Sequence, residues 1–454
     1  MSPPSGPWSG RRLHFVGVGG AGMSGYARAT HALGADVTGS DGSLSPYAER
    51  LDVDGVLKVQ VGHDAANVPE GEGVEVIYSS AVPSDNPERE AARERALPER
   101  PRAELLAELT AMKRTIAVAG THGKTTTASM LVHALRAAGA RPGWLVGAPV
   151  GGGLPNAEWG EGEWLVVEAD ESDRSMLSLK LEIGVLTNVE LDHHASFGSL
   201  GELEEAFRSF LAHAERGIVV WDRPELLALR TDQAAEVEVV PYDVSDPLLE
   251  AGGSRFQWRG NEVRLEVPGA HNALNATAAL EAARLAGADA QGAIEGLAGF
   301  KGAGRRFQRL GETSGGALVY DDYAHHPTEV AATLRAARTL AHQRLVAVFQ
   351  PHLYSRTELL AREFGVALAL ADVVVVLDVY AARERGEDHP GVSGLVIAEA
   401  TADAAGGRPV YWLPTFAEAE QVLGAILEQG DVCLVMGAGD VDALGRTLTE
   451  DAHV

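Results

Sequence analysis

Short apolar runs recur along this chain, separated by glycine-rich turns and longer helical stretches. Leu13–Val16, Asp36–Ser40, Val74–Tyr78, Thr115–Val118, Trp164–Val167, Ile183–Val189 and Gly217–Trp221 predict strands in the first half. Ala317–Tyr320, Leu345–Phe349, Val373–Leu377 and Val432–Met436 predict them in the second. Trp164–Val167 and Ile183–Val189 are nearly continuous in apolar residues, the pattern of strands inside a parallel sheet. Helices are predicted from Met23 to about Leu33, over Leu200–Ala214, in the Ala/Leu-rich stretch ending near Gly287, and over Glu358–Ala369. Phe256–Val267 predicts a β-hairpin. Pro83–Met112 is charged and helical in pattern, with Pro98 and Pro101 as breakers. Residues 1–10, rich in Pro, Ser and Gly, predict a loose tail. The fold class is α/β.

The ends of these strands carry the chemistry. Gly120-Thr121-His122-Gly123-Lys124-Thr125-Thr126-Thr127 stands between a strand and a helix. Glycines there let the backbone wrap a phosphate chain, and the first helical N–H groups point at the anion. Lys124 is placed to reach the terminal phosphates, and the Thr125 hydroxyl to hold magnesium. The pattern is two residues shorter than the usual phosphate loop, so a helix-capping turn with a solvated Lys124 stays open. Gly17, Gly19 and Gly22 form a second turn, Gly-x-Gly-x-x-Gly, with Asp41 where a ribose-binding acid belongs. A plain strand-to-helix turn is its alternative. Glu168-Ala169-Asp170-Glu171-Ser172-Asp173 ends one strand and suits magnesium binding or water positioning, or is a solvated acidic loop. Asp192-His193-His194 follows another strand. Asn272 reads as a helix cap, whereas with Asn275 three residues on it could face a base edge. Asp321-Asp322-Tyr323-Ala324-His325-His326-Pro327 puts acids, a tyrosine and histidines at one strand end, which packing alone does not explain.

At 454 residues the chain is too long for one core, and three domains are expected: 1–106, 107–302 and 303–454, with Gly302–Phe307 as a hinge. A formal charge of −26 argues against nucleic acid and anionic membranes as partners. Small phosphorylated ligands remain compatible with it, because helix termini bind them locally. Cys433, the single cysteine, lies in an apolar run and predicts a buried inert thiol. No apolar run reaches membrane-spanning length. Arg11-Arg12 precedes a segment too glycine-rich, and without a cleavage site, for an export signal, so a cytoplasmic protein is expected.

Taken in series, these motifs resemble the Mur ligase family, ATP-dependent amide-forming enzymes of peptidoglycan precursor synthesis. The resemblance runs from about Leu13 to Gly439 and is carried by His14–Gly25, Gly120–Thr127, Glu168–Asp173, His271–Ala276, Gly302–Phe307, Asp321–Pro327 and Phe349–His352. It implies a Rossmann-like N-terminal domain, a central ATPase domain of phosphate-loop type with a mostly parallel sheet, and a Rossmann-like C-terminal domain. The first turn would hold a UDP-sugar, with Gly17, Gly19, Gly20, Gly22, Met23, Ser24, Asp41, Ser79 and Ser80 lining it. ATP would lie on Gly120–Thr126, with Asn272 and Asn275 facing adenine and Arg306 and Asp322 linking the ATP site to the third domain. Thr125, Glu168 and His193 would hold magnesium, with manganese as the alternative ion. His325, His352 and Arg356 match positions near the incoming amino acid. The implied reaction joins the carboxylate of UDP-N-acetylmuramate to L-alanine through an acyl phosphate. His325 would help to deprotonate the amine or serve a structural bond to Asp322. Ala195 replaces an acid frequent in the family, which weakens His193 as a ligand. Leu353 replaces a basic residue of some relatives, which shifts carboxylate recognition to Arg356. A ligase recycling a tripeptide onto the same sugar nucleotide, an NAD-dependent oxidoreductase and a nucleotide-sensing ATPase are the competing readings. A monomer or homodimer is expected.

Overall fold

A computed structural model describes residues 4–192, 196–230 and 237–450. The chain forms three α/β domains on mostly parallel sheets. Its packing divides it into two compact units, Met1–Asp243 with Asn275–Leu297, and Val244–Leu274 with Ala298–Val454.

The first unit contains two sheets. One is five-stranded and parallel, in the order Gln60–Val61, Asp36–Asp41, Arg12–Val16, Val74–Tyr78, Glu99–Pro101. Its first strand in sequence lies inside, with later strands on both sides. The carboxyl end of such a strand opens a ligand crevice. Gly17 N–H bonds to Ser40 O and Ser79 N–H to Val16 O, so the first glycine turn and the ends of both neighbouring strands meet there. The other sheet is seven-stranded, in the order Glu238–Tyr242, Ala214–Trp221, Leu181–Leu186, Arg114–Ala119, Trp164–Glu168, Gly143–Leu145, Ala157–Glu158, and its last pair is antiparallel. Arg114–Ala119, the strand feeding the phosphate turn, is the central one, buried from Thr115 onward. One apolar core runs from Leu13 and Phe15 through Ala117 to Phe207 and Phe210, so the two sheets share it.

The second unit has a three-stranded antiparallel sheet, Leu248–Glu250, Gly253–Trp258 and Asn261–Leu265. Its larger sheet runs Gln308–Glu312, Leu318–Asp322, Val432–Met436, Leu345–Phe349, Val373–Val376, Val410–Trp412, with the first pair antiparallel and the rest parallel. Val432, Leu434 and Met436 pack into one core and Cys433 and Val435 into another, as a strand covered on both faces must. Burial pushes the Cys433 thiol up to about 12, so it is inert.

Four local expectations need correction. The segment from Pro83 to Met112 is two helices, Pro87–Glu94 and Arg102–Ala111, separated by the edge strand Glu99–Pro101. A proline on an edge strand costs no ladder bond on its open side, so Pro101 closes this strand and Pro98 stands just before it. The strand begun by Ile183 stops at Leu186, and Thr187 and Asn188 leave it for the phosphate turn. The strand ending in Tyr320 continues to Asp322, in register with Val435 and Met436. Finally, the described part of the tail is anchored: Trp8 N–H bonds to Leu33 O, and the Arg11 guanidinium lies 4.3 Å above its ring. No described helix is long and apolar enough to cross a membrane.

Candidate functional site

The phosphate turn leaves the central strand at Gly120 and enters the helix Lys124–Ala137 at Gly123. Gly120 has φ +131°, and a Cβ there would stand 2.1 Å from Thr187 Oγ1. Gly123 is left-handed, and its Cβ would stand 2.7 Å from Asn275 Oδ1. Both positions therefore require glycine. The turn is stitched to the loop after Leu186. The His122 N–H donates to Asn188 Oδ1 at 2.8 Å, and Asn188 Nδ2 donates to His122 O at 2.9 Å. The Thr187 hydroxyl donates to His122 O at 2.6 Å. Thr121 Oγ1 donates to Glu190 O and accepts from Glu190 N, both at 2.9 Å. The sequence reading had Asn188 inside a strand and missed this role; its one signal was an Asn at the close of an apolar run.

Lys124 opens the helix with its ammonium turned to the turn itself, donating to Gly120 O at 2.6 Å and Thr121 O at 3.1 Å. It also donates to Glu171 Oε1 at 2.9 Å. Burial pulls the ammonium down, but Glu171 and Asp170 more than offset this and raise it above its ordinary value. It stays a cation. Beside it, Thr125 Oγ1 donates to Glu168 Oε1 at 2.9 Å, and the Gly147 N–H holds Glu168 Oε2 at 2.7 Å. A hydroxyl and an anchored carboxylate side by side make the hard-oxygen donor set that magnesium takes. Thr126 is buried in the same helical turn. Asn272 and Asn275 both lie on the helix Ala270–Leu285, Asn275 against Gly123. Asn272 is inside the first turn rather than at its cap, and its Nδ2 donates to Pro268 O at 2.7 Å. His193 lies outside the described residues.

At the first glycine turn Asp41 Oδ2 accepts the Gly19 N–H at 2.8 Å, and the Ser45 hydroxyl donates to Gly19 O at 2.6 Å. Gly17, at φ +80°, takes the left-handed backbone that favours glycine, and its Cβ would stand 3.2 Å from Ser79 Cβ. Gly17, Gly19, Asp41 and Ser79 are thus brought together, with Ser80 exposed beside them and Gly20 at the helix entrance. Met23 and Ser24 are buried, and the Ser24 hydroxyl is turned to Ala21 O at 2.9 Å. Below this crevice Glu88 is fully buried. It accepts from Ser40 Oγ at 2.7 Å and pairs with His14 Nε2 at 2.7 Å and His63 Nδ1 at 2.8 Å. Burial raises its carboxyl, but these bonds outweigh that and hold it below its usual range. Nothing in its charged helical stretch distinguished Glu88.

In the second unit Asp322 accepts the N–H groups of Phe307 and Ala324, each at 2.8 Å. Burial pushes its carboxyl up to about 6, with Arg306 pulling the other way. Arg306 lies 3.8 Å from Glu329 and 5.1 Å from the Tyr323 ring. The His325 ring meets Tyr323 O at 2.9 Å through Nδ1, and the Glu329 carboxylate lies 3.3 Å from the same nitrogen. His325 and His352 are edge to face at 6.0 Å. Arg356, 2% exposed, lies 3.2 Å from His352 Nδ1. The three residues expected near the amino acid are therefore contiguous.

Within the first unit, a cationic phosphate turn with an adjoining hydroxyl–carboxylate pair shares a core with a second glycine turn, the arrangement of an enzyme that activates one substrate with a nucleotide. Three family models match in series: Mur ligase family, catalytic domain, over residues 12–114; Mur ligase middle domain over 118–283; and Mur ligase, glutamate ligase domain, over 305–439. The chain belongs to the Mur ligase family. It is 46% identical to the UDP-N-acetylmuramate–L-alanine ligase of Mycobacterium sp. (strain JLS), over 98% of this chain and 96% of that relative. The protein of that name from Rubrobacter xylanophilus is 44% identical, over 96% and 99%. The crystal structure of the Thermotoga maritima UDP-N-acetylmuramate-alanine ligase superposes with a TM-score of 0.82 at 29% identity, covering 97% of this chain and 99% of that one. A murein peptide ligase from Psychrobacter arcticus, 23% identical with a TM-score of 0.72, shares the fold.

Proposed function

We propose that this chain joins the carboxylate of UDP-N-acetylmuramate to the amine of L-alanine, converting ATP to ADP and phosphate, in cytoplasmic peptidoglycan precursor synthesis. The observation that carries this reading is the cluster of Lys124, Thr125 and Glu168 at the carboxyl end of the central sheet, in a chain similar over its whole length to ligases of that name.

The sugar nucleotide binds at the first turn through Gly17, Gly19, Asp41 and Ser79, and ATP binds along Gly120–Thr126. The substrate carboxylate attacks the γ-phosphorus, the bond to the ADP oxygen breaks, and an acyl phosphate forms. Lys124, kept charged by Glu171, neutralises the transferring group, so the contribution is mainly position and charge. Thr125 and Glu168 fit a magnesium ion, which when bound spreads the phosphate charge. The amine of L-alanine then attacks the acyl carbon, and the bond to phosphate breaks. His325 accepts the ammonium proton at Nε2, because Nδ1 is committed to Tyr323 O. Arg356 takes the amino acid's carboxylate.

The test is phosphate release with ATP, magnesium, UDP-N-acetylmuramate and each amine in turn. Release that depends on L-alanine is the expected result. Equal release with and without it would reject amide synthesis, and dependence on a tripeptide would move the chain to the recycling ligases. A nicotinamide enzyme leaves Lys124 and Glu168 without a task.

A further inference from the structure

Arg102 belongs to none of the motifs above. It opens the helix Arg102–Ala111, immediately after the edge strand of the first sheet. Its guanidinium is largely buried and reaches in two directions. Nε donates to Asp173 Oδ2 at 2.6 Å and Nη2 to Asp170 Oδ2 at 3.1 Å. Nη1 is turned to the first glycine turn, 2.9 Å from where a Cβ on Gly22 would stand. The guanidinium therefore lies directly against the third glycine of the fingerprint.

The next turn of the helix Ala21–Ala32, which begins at this glycine turn, shows the same close approach. A Cβ on Gly25 would stand 3.1 Å from Ala157 Cβ, and Asn156 Nδ2 donates to Ala21 O at 2.7 Å and Ser24 Oγ at 3.2 Å. The helix that starts at the sugar-nucleotide turn is thus held by residues of the ATP-binding sheet and its acidic loop. Asp170 continues the chain of contacts. Burial pushes its carboxyl up, but Arg102 and Lys124 together bring it down to about 2. The next residue, Glu171, holds Lys124.

We infer that Arg102 is a positioning residue coupling the two nucleotide sites: an anionic group of the sugar nucleotide at the Gly17–Gly22 turn pins Nη1, and Nε and Nη2 thereby fix the acidic loop that aims Lys124. The inference rests on the proposed UDP-sugar reading of the first turn. Nε and Nη2 are taken up by Asp173 and Asp170, while Nη1 faces the turn, so the ligand does not compete with either carboxylate. It orders a side chain that the loop already uses. Ordering done by the first ligand need not be repeated for the second, so binding is mutually strengthening, and by linkage the factor is the same in both directions.

The experiment measures the Kd of a non-hydrolysable ATP analogue with and without saturating UDP-N-acetylmuramate, by calorimetry on the full chain. In the wild type the sugar nucleotide tightens the analogue by about fivefold or more, the usual lower range of such coupling. In Arg102→Ala and Asp173→Asn the ratio falls to about one. Arg102→Lys also loses it, because a single ammonium does not span the three directions. A packing role alone would weaken both ligands without changing the ratio. An unchanged ratio in Arg102→Ala, or two ligands that bind the wild type independently, overturns the coupling and leaves the proposed reaction standing. Absence of UDP-N-acetylmuramate binding to the wild type overturns both. If Arg102→Ala does not fold, Asp173→Asn, which keeps the guanidinium, decides.

Discussion

Lys124 Nζ lies 2.9 Å from the carboxylate of Glu171, in a pair whose side chains are 13% and 1% exposed. Removing one partner of such a pair leaves an uncompensated charge, at about 3–5 kcal/mol. Glu171→Gln should lower unfolding stability by that order. Bound triphosphate would supply the missing negative charge, so the deficit should shrink with a saturating ATP analogue. Thermal unfolding with and without the analogue checks this, and a deficit indifferent to nucleotide would contradict it.

Lys124→Ala should reduce phosphate release at least about a thousandfold, since a charge positioned on the transferring phosphoryl group supplies several kcal/mol. UDP-N-acetylmuramate affinity should stay within about twofold. Loss of both together would show that the turns do not bind separate ligands.

Glu168 is anchored by Thr125 and the Gly147 N–H. Glu168→Gln should raise the magnesium concentration for half-maximal activity by roughly 10-fold or more. Thr125→Ser keeps the hydroxyl and should stay close to wild type. Magnesium titrations of the two variants compare them directly, and equal effects would remove Glu168 from the ion's site.

Asp41 holds the Gly19 N–H rather than simply lining the crevice. Asp41→Ala leaves that donor without its acceptor and loosens the turn, at about 1–3 kcal/mol. The Kd for UDP-N-acetylmuramate should rise about tenfold or more, with the Kd for ATP unmoved. Parallel calorimetry of both ligands settles it.

The Asp322 carboxyl is raised from 3.8 to about 6, burial outweighing Arg306. A carboxyl raised on folding binds its proton more tightly in the folded state. Its contribution is complete below the unfolded value and is lost as pH climbs through 6. Asp322→Asn does not titrate. The wild type should therefore lose up to about 3 kcal/mol relative to the variant between pH 4 and pH 7. Urea unfolding of both proteins across that range measures the difference, and a constant gap would show that Asp322 is not raised.

Strands such as Leu345–Phe349 and Val432–Met436 were legible to the residue, because a strand covered on both faces has little but apolar side chains to show. The turns at Gly17 and Gly120 were legible because few residues other than glycine allow a backbone so close to its neighbours. Glu171, Asn188, Glu88 and Arg102 were not. Each is a common polar residue whose importance depends on a partner 47 to 74 positions away.

Local chain chemistry alone therefore determined the alternating α/β elements, the two glycine turns and the order of the motifs, since steric freedom and apolar periodicity act between near neighbours. Only the tertiary structure decided that Glu171 clamps Lys124, that Asn188 stitches the phosphate turn, and that Arg102 lies against Gly22. Those relationships arise when the sheet order brings distant strand ends together, and burial then gives each charge its partner.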